Sequence, residues 1–199
     1  MQKVRRMILS IVIALFMLIS TSNTTAFAME TGDTNEPPYS IEIVGDTLLE
    51  NATLLDTASY VVNGKLTTVK TYELTDGTKV IDTLTVSAFR PYSANGTDTA
   101  TRTREISTWG KITLTASFQW YTEGLFSYVK CTSMSASKSL NAGAVASTWE
   151  TSYTKDYVSI GKASAQVKYY IYNSQVPVQY TDGTFKITCT DTGTISDNN

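Results

Sequence analysis

The sequence predicts an all-β fold, an antiparallel β-sandwich or small barrel, preceded by a cleaved signal peptide. Three observations carry this. Short runs of β-branched and aromatic residues alternate with Thr, Ser and other polar residues, which is the period of a strand with one face on a core. Turn dipeptides such as Asn63-Gly64 and Asp76-Gly77 separate the runs. Hydrophobic residues make up 42% of the chain and charged residues 17%, so a core can be buried and the highly charged composition of a disordered tail is absent.

Residues 1–28 read as the signal peptide. Lys3, Arg5 and Arg6 precede an apolar stretch from Met7 to Ile19, which is shorter than the roughly 18 to 20 residues of a bilayer span. Ala26 and Ala28 frame a small-x-small cleavage site. The mature chain is therefore expected to begin at Met29 and to be secreted, with a leader of bacterial style. Losing three basic residues and no acidic one takes the formal net charge from −2 to −5. An acidic chain without a Lys/Arg cluster lacks the footprint of phosphate binding, so nucleic acid is not an expected partner. Nor is stable membrane insertion expected of the native state.

Residues 29–39, with Gly32 and Pro37-Pro38, read as a flexible lead-in. Residues 40–88 read as an N-terminal β-meander. Within it, Leu48, Leu49, Ala52 and Leu55 stand at helical spacing and predict a short helix over Asp46 to Ala58. Strands follow at Tyr60 to Val62, Leu66 to Leu74 and Val80 to Val86, joined by Asn63-Gly64 and Asp76-Gly77 as type I′ turns. Residues 89–106 read as a linker or long loop, because Pro91, Asn95-Gly96 and a run of Thr, Ala and Asp around Arg102 and Arg104 interrupt the apolar pattern.

Residues 107–199 read as the C-terminal sandwich core. Ile112, Leu114, Ala116, Phe118 and Trp120 alternate with Thr113, Thr115, Ser117, Gln119 and Tyr121, the clearest strand in the chain. A turn at Thr122-Glu123-Gly124 leads back into Leu125, Ser127, Val129 and Cys131 on one face. Ser133 to Ala144 is small and polar and predicts a loop. Strands follow at Val145 to Tyr153, Tyr157 to Ile160 and Ala163 to Ile171, and Asp182-Gly183 is expected to turn a last hairpin. The sequence leaves open whether residues 29–105 are a pro-region or part of one sandwich.

Chemistry is constrained by the absence of histidine, which removes the commonest general base, the commonest zinc ligand and the Ser-His-Asp constellation. Asp191-Thr192-Gly193 resembles the signature of aspartic proteases, but that chemistry needs two such carboxylates and the second copy is missing. It reads as a turn. Ser-x-x-Lys occurs at Ser135, Ser152 and Ser159 without the companion motifs of the penicillin-recognising enzymes. No catalytic residue, cofactor or metal ligand is assigned. Glu123, Glu150 or an Asp could still supply the carboxylates of a glycosidase.

Tyr121, Tyr128, Tyr170 and Tyr172 fall on the non-core side of alternating strands, with Lys130 and Lys168 at their rim. Flat rings there suit one recognition face for an extended ligand, cell-wall glycan or a surface protein; the opposing reading is cross-strand aromatic pairing or a second buried layer in a two-sheet sandwich. Cys131 and Cys189, the only cysteines, are expected to form a disulfide in an exported protein. The function expected is that of a secreted, non-enzymatic β-protein acting by binding at or near the bacterial cell surface. The alternatives are a carboxylate-based hydrolase acting on glycan, and a β-rich toxin or bacteriocin.

Overall fold

The structure, a computed structural model, describes residues 47–88, 95–175 and 180–197. The leader, the lead-in and residues 40–46 lie outside the described residues. A 3-10 turn at Thr47–Leu49 is followed by β1 (Thr53–Val62), β2 (Lys65–Glu73), β3 (Lys79–Ser87), β4 (Gly96–Ile106), β5 (Gly110–Glu123), β6 (Phe126–Leu140), β7 (Ala144–Tyr153), β8 (Val158–Ser159), β9 (Lys162–Asn173), β10 (Tyr180–Thr190) and β11 (Ile195–Ser196). Every pairing is antiparallel. A seven-stranded sheet runs β1-β2-β3-β4-β5-β6-β8, and a four-stranded sheet runs β11-β10-β9-β7. Among the described residues each sheet has two free edges, so the arrangement is an open sandwich and not a barrel.

Inner-facing residues of the two sheets form one core. Ile112, Leu114, Ala116 and Phe118 of β5 and Val129 and Cys131 of β6 meet Ala163, Ala165, Val167 and Ile171 of β9 and Phe185 and Ile187 of β10. Small side chains on β9 share this core with the large ones on β5 and β10, which lets two layers interdigitate. Trp120 closes one end, its indole wedged against Gly96 and Gly193, where a Cβ would overlap the ring.

The stretch expected to be a linker holds a central strand. β4 pairs along its length with β5 and, through Thr101 to Ile106, with β3, so the meander runs without a boundary from β1 into β6; residues 89–94 lie outside the described residues. Arg102 and Arg104, expected in an exposed loop, are fully buried. They survive burial because Asp82 of β3 is held between them. Arg104 binds it twice, Nε to Oδ1 at 3.1 Å and Nη2 to Oδ2 at 2.6 Å, and Arg102 Nη2 reaches Oδ2 at 2.9 Å. Arg102 Nη1 also donates to the carbonyls of Lys186 at 2.7 Å and Asp197 at 3.2 Å, tying β4 to β10 and to the residue after β11. The Phe185 ring lies 4.5 Å from one guanidinium and 5.1 Å from the other. Burial would raise the Asp82 pKa, but the two guanidiniums outweigh it and hold the carboxyl at about 2. Lys70 of β2 and Asp197 complete the cluster at 3.8 Å.

Four further expectations are corrected. The helix over Asp46 to Ala58 is only the 3-10 turn, because from Thr53 onward the backbone pairs with β2. The loop over Ser133 to Ala144 is mostly strand: β6 continues to Leu140, and a bulge at Thr132 exchanges its faces so that Met134, Ala136 and Leu140 turn inward. Asp182-Gly183 makes no turn, since β10 runs straight through it against Tyr170 and Tyr169 of β9. Cys131 and Cys189 are buried on the inner faces of different sheets as thiols and not joined in a disulfide.

Asn63 (φ 51°) and Gly64 (φ 71°) form the expected type I′ turn, whereas at Asp76-Gly77 only Gly77 has positive φ. There the Asp76 carboxylate accepts the Thr78 N–H at 2.8 Å.

Candidate functional site

The outer face of the large sheet is built from the residues that alternate with its core. β5 and β6 pair Tyr121 directly with Tyr128, and the two rings stack 4.9 Å apart at 17°. The hairpin is closed by Gly124-Leu125 with Gly124 at φ 62°. β8 then returns to β6, pairing Ser159 with Tyr128, and this places Tyr157 edge-on to Tyr121 at 4.9 Å. The Tyr157 hydroxyl donates to Gln119 Oε1 at 3.0 Å, and Lys130 Nζ lies 4.2 Å from the centre of the Tyr157 ring. Three rings and a cation thus form one platform. The Tyr121 phenol is held above its ordinary pKa by its neighbours' exclusion of water and by the Glu123 carboxylate, so it stays neutral.

From this platform the same face continues as rows of hydroxyls. β4 contributes Thr97, Thr99, Thr101 and Thr103, and β5 contributes Thr113, Thr115 and Ser117 in register with them. Cross-strand pairs are hydrogen-bonded: Thr99 with Ser117 at 2.8 Å, Thr101 with Thr115 at 3.1 Å and Thr67 with Thr85 at 3.1 Å. Paired strands and alternate residues repeat at about 4.8 Å and about 6.8 Å. A shallow depression of about 490 Å³ is lined in part by Lys65, Ser87, Thr97, Thr99, Ser117 and Thr132. It adjoins the platform, because Thr97 pairs with Gln119.

Tyr170 and Tyr172 do not join this site. Both project from the outer face of the four-stranded sheet, the other side of the sandwich, so the single four-tyrosine face expected from the sequence is two separate clusters. Tyr170 stacks with Tyr180 at 5.2 Å and lies 6.3 Å from Tyr172. Lys168 stands beside them, paired in register with Glu150 and Thr184, so a carboxylate faces this cluster's rim.

Sequence reasoning missed Tyr157 and Tyr180. Gln119 was visible as the outward neighbour of Tyr121, but Tyr157 reaches the platform only through the two-residue strand β8. Glu123 ends β5 of the large sheet and Glu150 lies in β7 of the small one. Among the described residues no group of three or more Cys, Asp or Glu could hold a metal ion. No family model matches this chain, and no curated protein and no solved structure matches it either.

Proposed function

We propose that this is a secreted, non-enzymatic protein that acts by binding at or near the bacterial cell surface, and that the outer face of its large sheet engages an extended wall glycan. One observation carries the reading. The Tyr121, Tyr128 and Tyr157 rings and Lys130 gather at one end of a flat face whose remaining positions are mostly Thr and Ser. Rings offer apolar faces to the C–H face of a sugar, and hydroxyl rows offer donors and acceptors along a chain of sugars. Secretion rests on the leader in residues 1–28.

Pull-down on isolated, protein-stripped bacterial cell walls tests the proposal. Tyr121→Ala with Tyr128→Ala should lower retention at least tenfold with the fold intact, while Tyr170→Ala with Tyr172→Ala should leave it within a factor of two. Equal retention by the first double variant and the unaltered protein would end the reading.

The toxin reading keeps one supporting observation. β5 and β6 are 14 and 15 residues long with an apolar and a hydroxylated face, longer than the roughly 9 to 11 residues of a membrane-spanning strand. Dye release from liposomes would favour it over wall binding.

A further inference from the structure

Among the described residues β1 is an open sheet edge of ten residues, and every one of them is exposed. Leu54, Val61 and Val62 are each more than half exposed, Leu55 is half exposed and Tyr60 nearly so. Asp56 is the only charge in the strand. Soluble proteins blunt such edges with charge, proline or a covering element, because an unpaired apolar edge is a template for another strand.

We propose that β1 is the seam of a homodimer, in which it pairs antiparallel with β1 of a second copy about a two-fold axis through Ser59. The register follows from the backbone. The type I′ turn at Asn63-Gly64 closes on the hydrogen-bonded pair of Val62 with Lys65. Hydrogen bonds to β2 are therefore made at Val62, Tyr60, Ala58 and Asp56, which leaves the N–H and C=O groups of Val61, Ser59 and Thr57 pointing to the open edge. The regular part of β1 begins at Asp56, after a bulge between Leu54 and Asp56, and ends at Val62. Ser59 is its midpoint.

A two-fold axis there uses the whole regular stretch. Ser59 meets itself, and Thr57 meets Val61 of the second copy on both sides, giving about six backbone hydrogen bonds. Directly opposed residues share a face, so Tyr60 lies over Ala58 of the second copy, large against small. Asp56 falls opposite Val62 of the second copy, whose neighbour in the same row is Lys65, a cation within reach of that carboxylate. The two copies of Asp56 stand at opposite ends of the seam. An identical strand thus supplies the length, hydrogen-bond phase and charge placement this edge requires, and the contact is isologous and self-limiting.

Sedimentation velocity on the mature chain should show a dimer that dissociates on dilution. Ser59→Pro removes the edge-facing N–H and the exposed hydroxyl contact with Thr68 at 3.2 Å while leaving the backbone bonds to β2, a substitution that edge strands tolerate, and should weaken the dimer at least tenfold without changing the far-UV circular dichroism. Ser59→Cys places two thiols across the axis at a Cα separation of about 5.5 Å, within disulfide range, and mild oxidation should link the chains. Thr57→Cys, whose mate is Val61, should not link. A wild-type chain that stays monomeric up to millimolar concentration would overturn the proposal. So would a dimer that ignores Ser59→Pro and leaves Ser59→Cys unlinked.

Discussion

The two ends of the large sheet solve different problems. Around β5 and β6 the interior is aliphatic and aromatic, the outer face carries the tyrosine platform, and β8 with the Thr154 carbonyl caps part of the edge. Around β1 to β4 a charged cluster of Lys70, Asp82, Arg102, Arg104 and Asp197 is buried among apolar side chains such as Val80 and Leu84, and among the described residues the edge is open and apolar. The interior of the first end is held by apolar burial, which is non-directional and tolerates volume-conserving change. The second depends on one carboxylate between two guanidiniums, where the loss of a single group leaves charge stranded away from water.

The largest expected effect of a substitution is therefore at Asp82. Asp82→Asn should cost about 3 to 5 kcal/mol in urea unfolding, because both guanidiniums lose their counter-charge at once. The same carboxyl sets an acid limit. Its folded pKa of about 2 lies below the ordinary 3.8, so its contribution is complete above pH 4 and lost as pH falls toward 2. Wild-type stability should decline across that window, and Asp82→Asn should lack this component of the decline. If Asp82→Asn costs no more than a surface change, the two ends are not different in kind.

A smaller effect is expected at the other end. Gly193→Ala should cost about 1 to 3 kcal/mol, since its Cβ would enter the Trp120 indole and Gly193 has φ 83°. Near-UV circular dichroism should report the displaced tryptophan. Tyr121→Ala should cost only about 0.5 to 1.5 kcal/mol, the worth of an aromatic pair on a half-exposed face.

The cysteines mark the bottom of the scale. Cys131 is a buried thiol whose pKa burial pushes up to about 11. Iodoacetamide should leave the folded chain untouched and, without reductant, add two groups once the chain is denatured. A mass showing a closed disulfide would instead require the two sheets to approach at these strands.

How much of this was legible depends on which end is read. β5 declares itself because its inner residues are apolar throughout. β4 has the same period, with Ala100, Arg102, Arg104 and Ile106 inward and Thr99, Thr101 and Thr103 outward. There two of the four inner residues are arginines, so the strand lacks apolar alternation. The alternating threonines were the usable signal. Thr75-Asp76-Gly77-Thr78 and Thr181-Asp182-Gly183-Thr184 are the same type of tetrapeptide, yet the first is a turn and the second lies within β10. Turn propensity is a local preference, and pairing with β9 overrides it. The stacking of Tyr121 on Tyr128 followed from one hairpin and was readable. The assignment of Tyr170 and Tyr172 to the other sheet was not, because it depends on the chain crossing between sheets three times, after β6, after β7 and after β8.

The central claim is that one outer face, at the β5 and β6 end of the large sheet, is the recognition surface. Amide chemical-shift mapping of the labelled protein with solubilised wall glycan tests it most directly. The account predicts shifts concentrated at Gln119, Tyr121, Tyr128, Lys130 and Tyr157 and fading along the threonine rows. Shifts centred on Tyr170, Tyr172 and Tyr180, or none at saturating glycan, would contradict it.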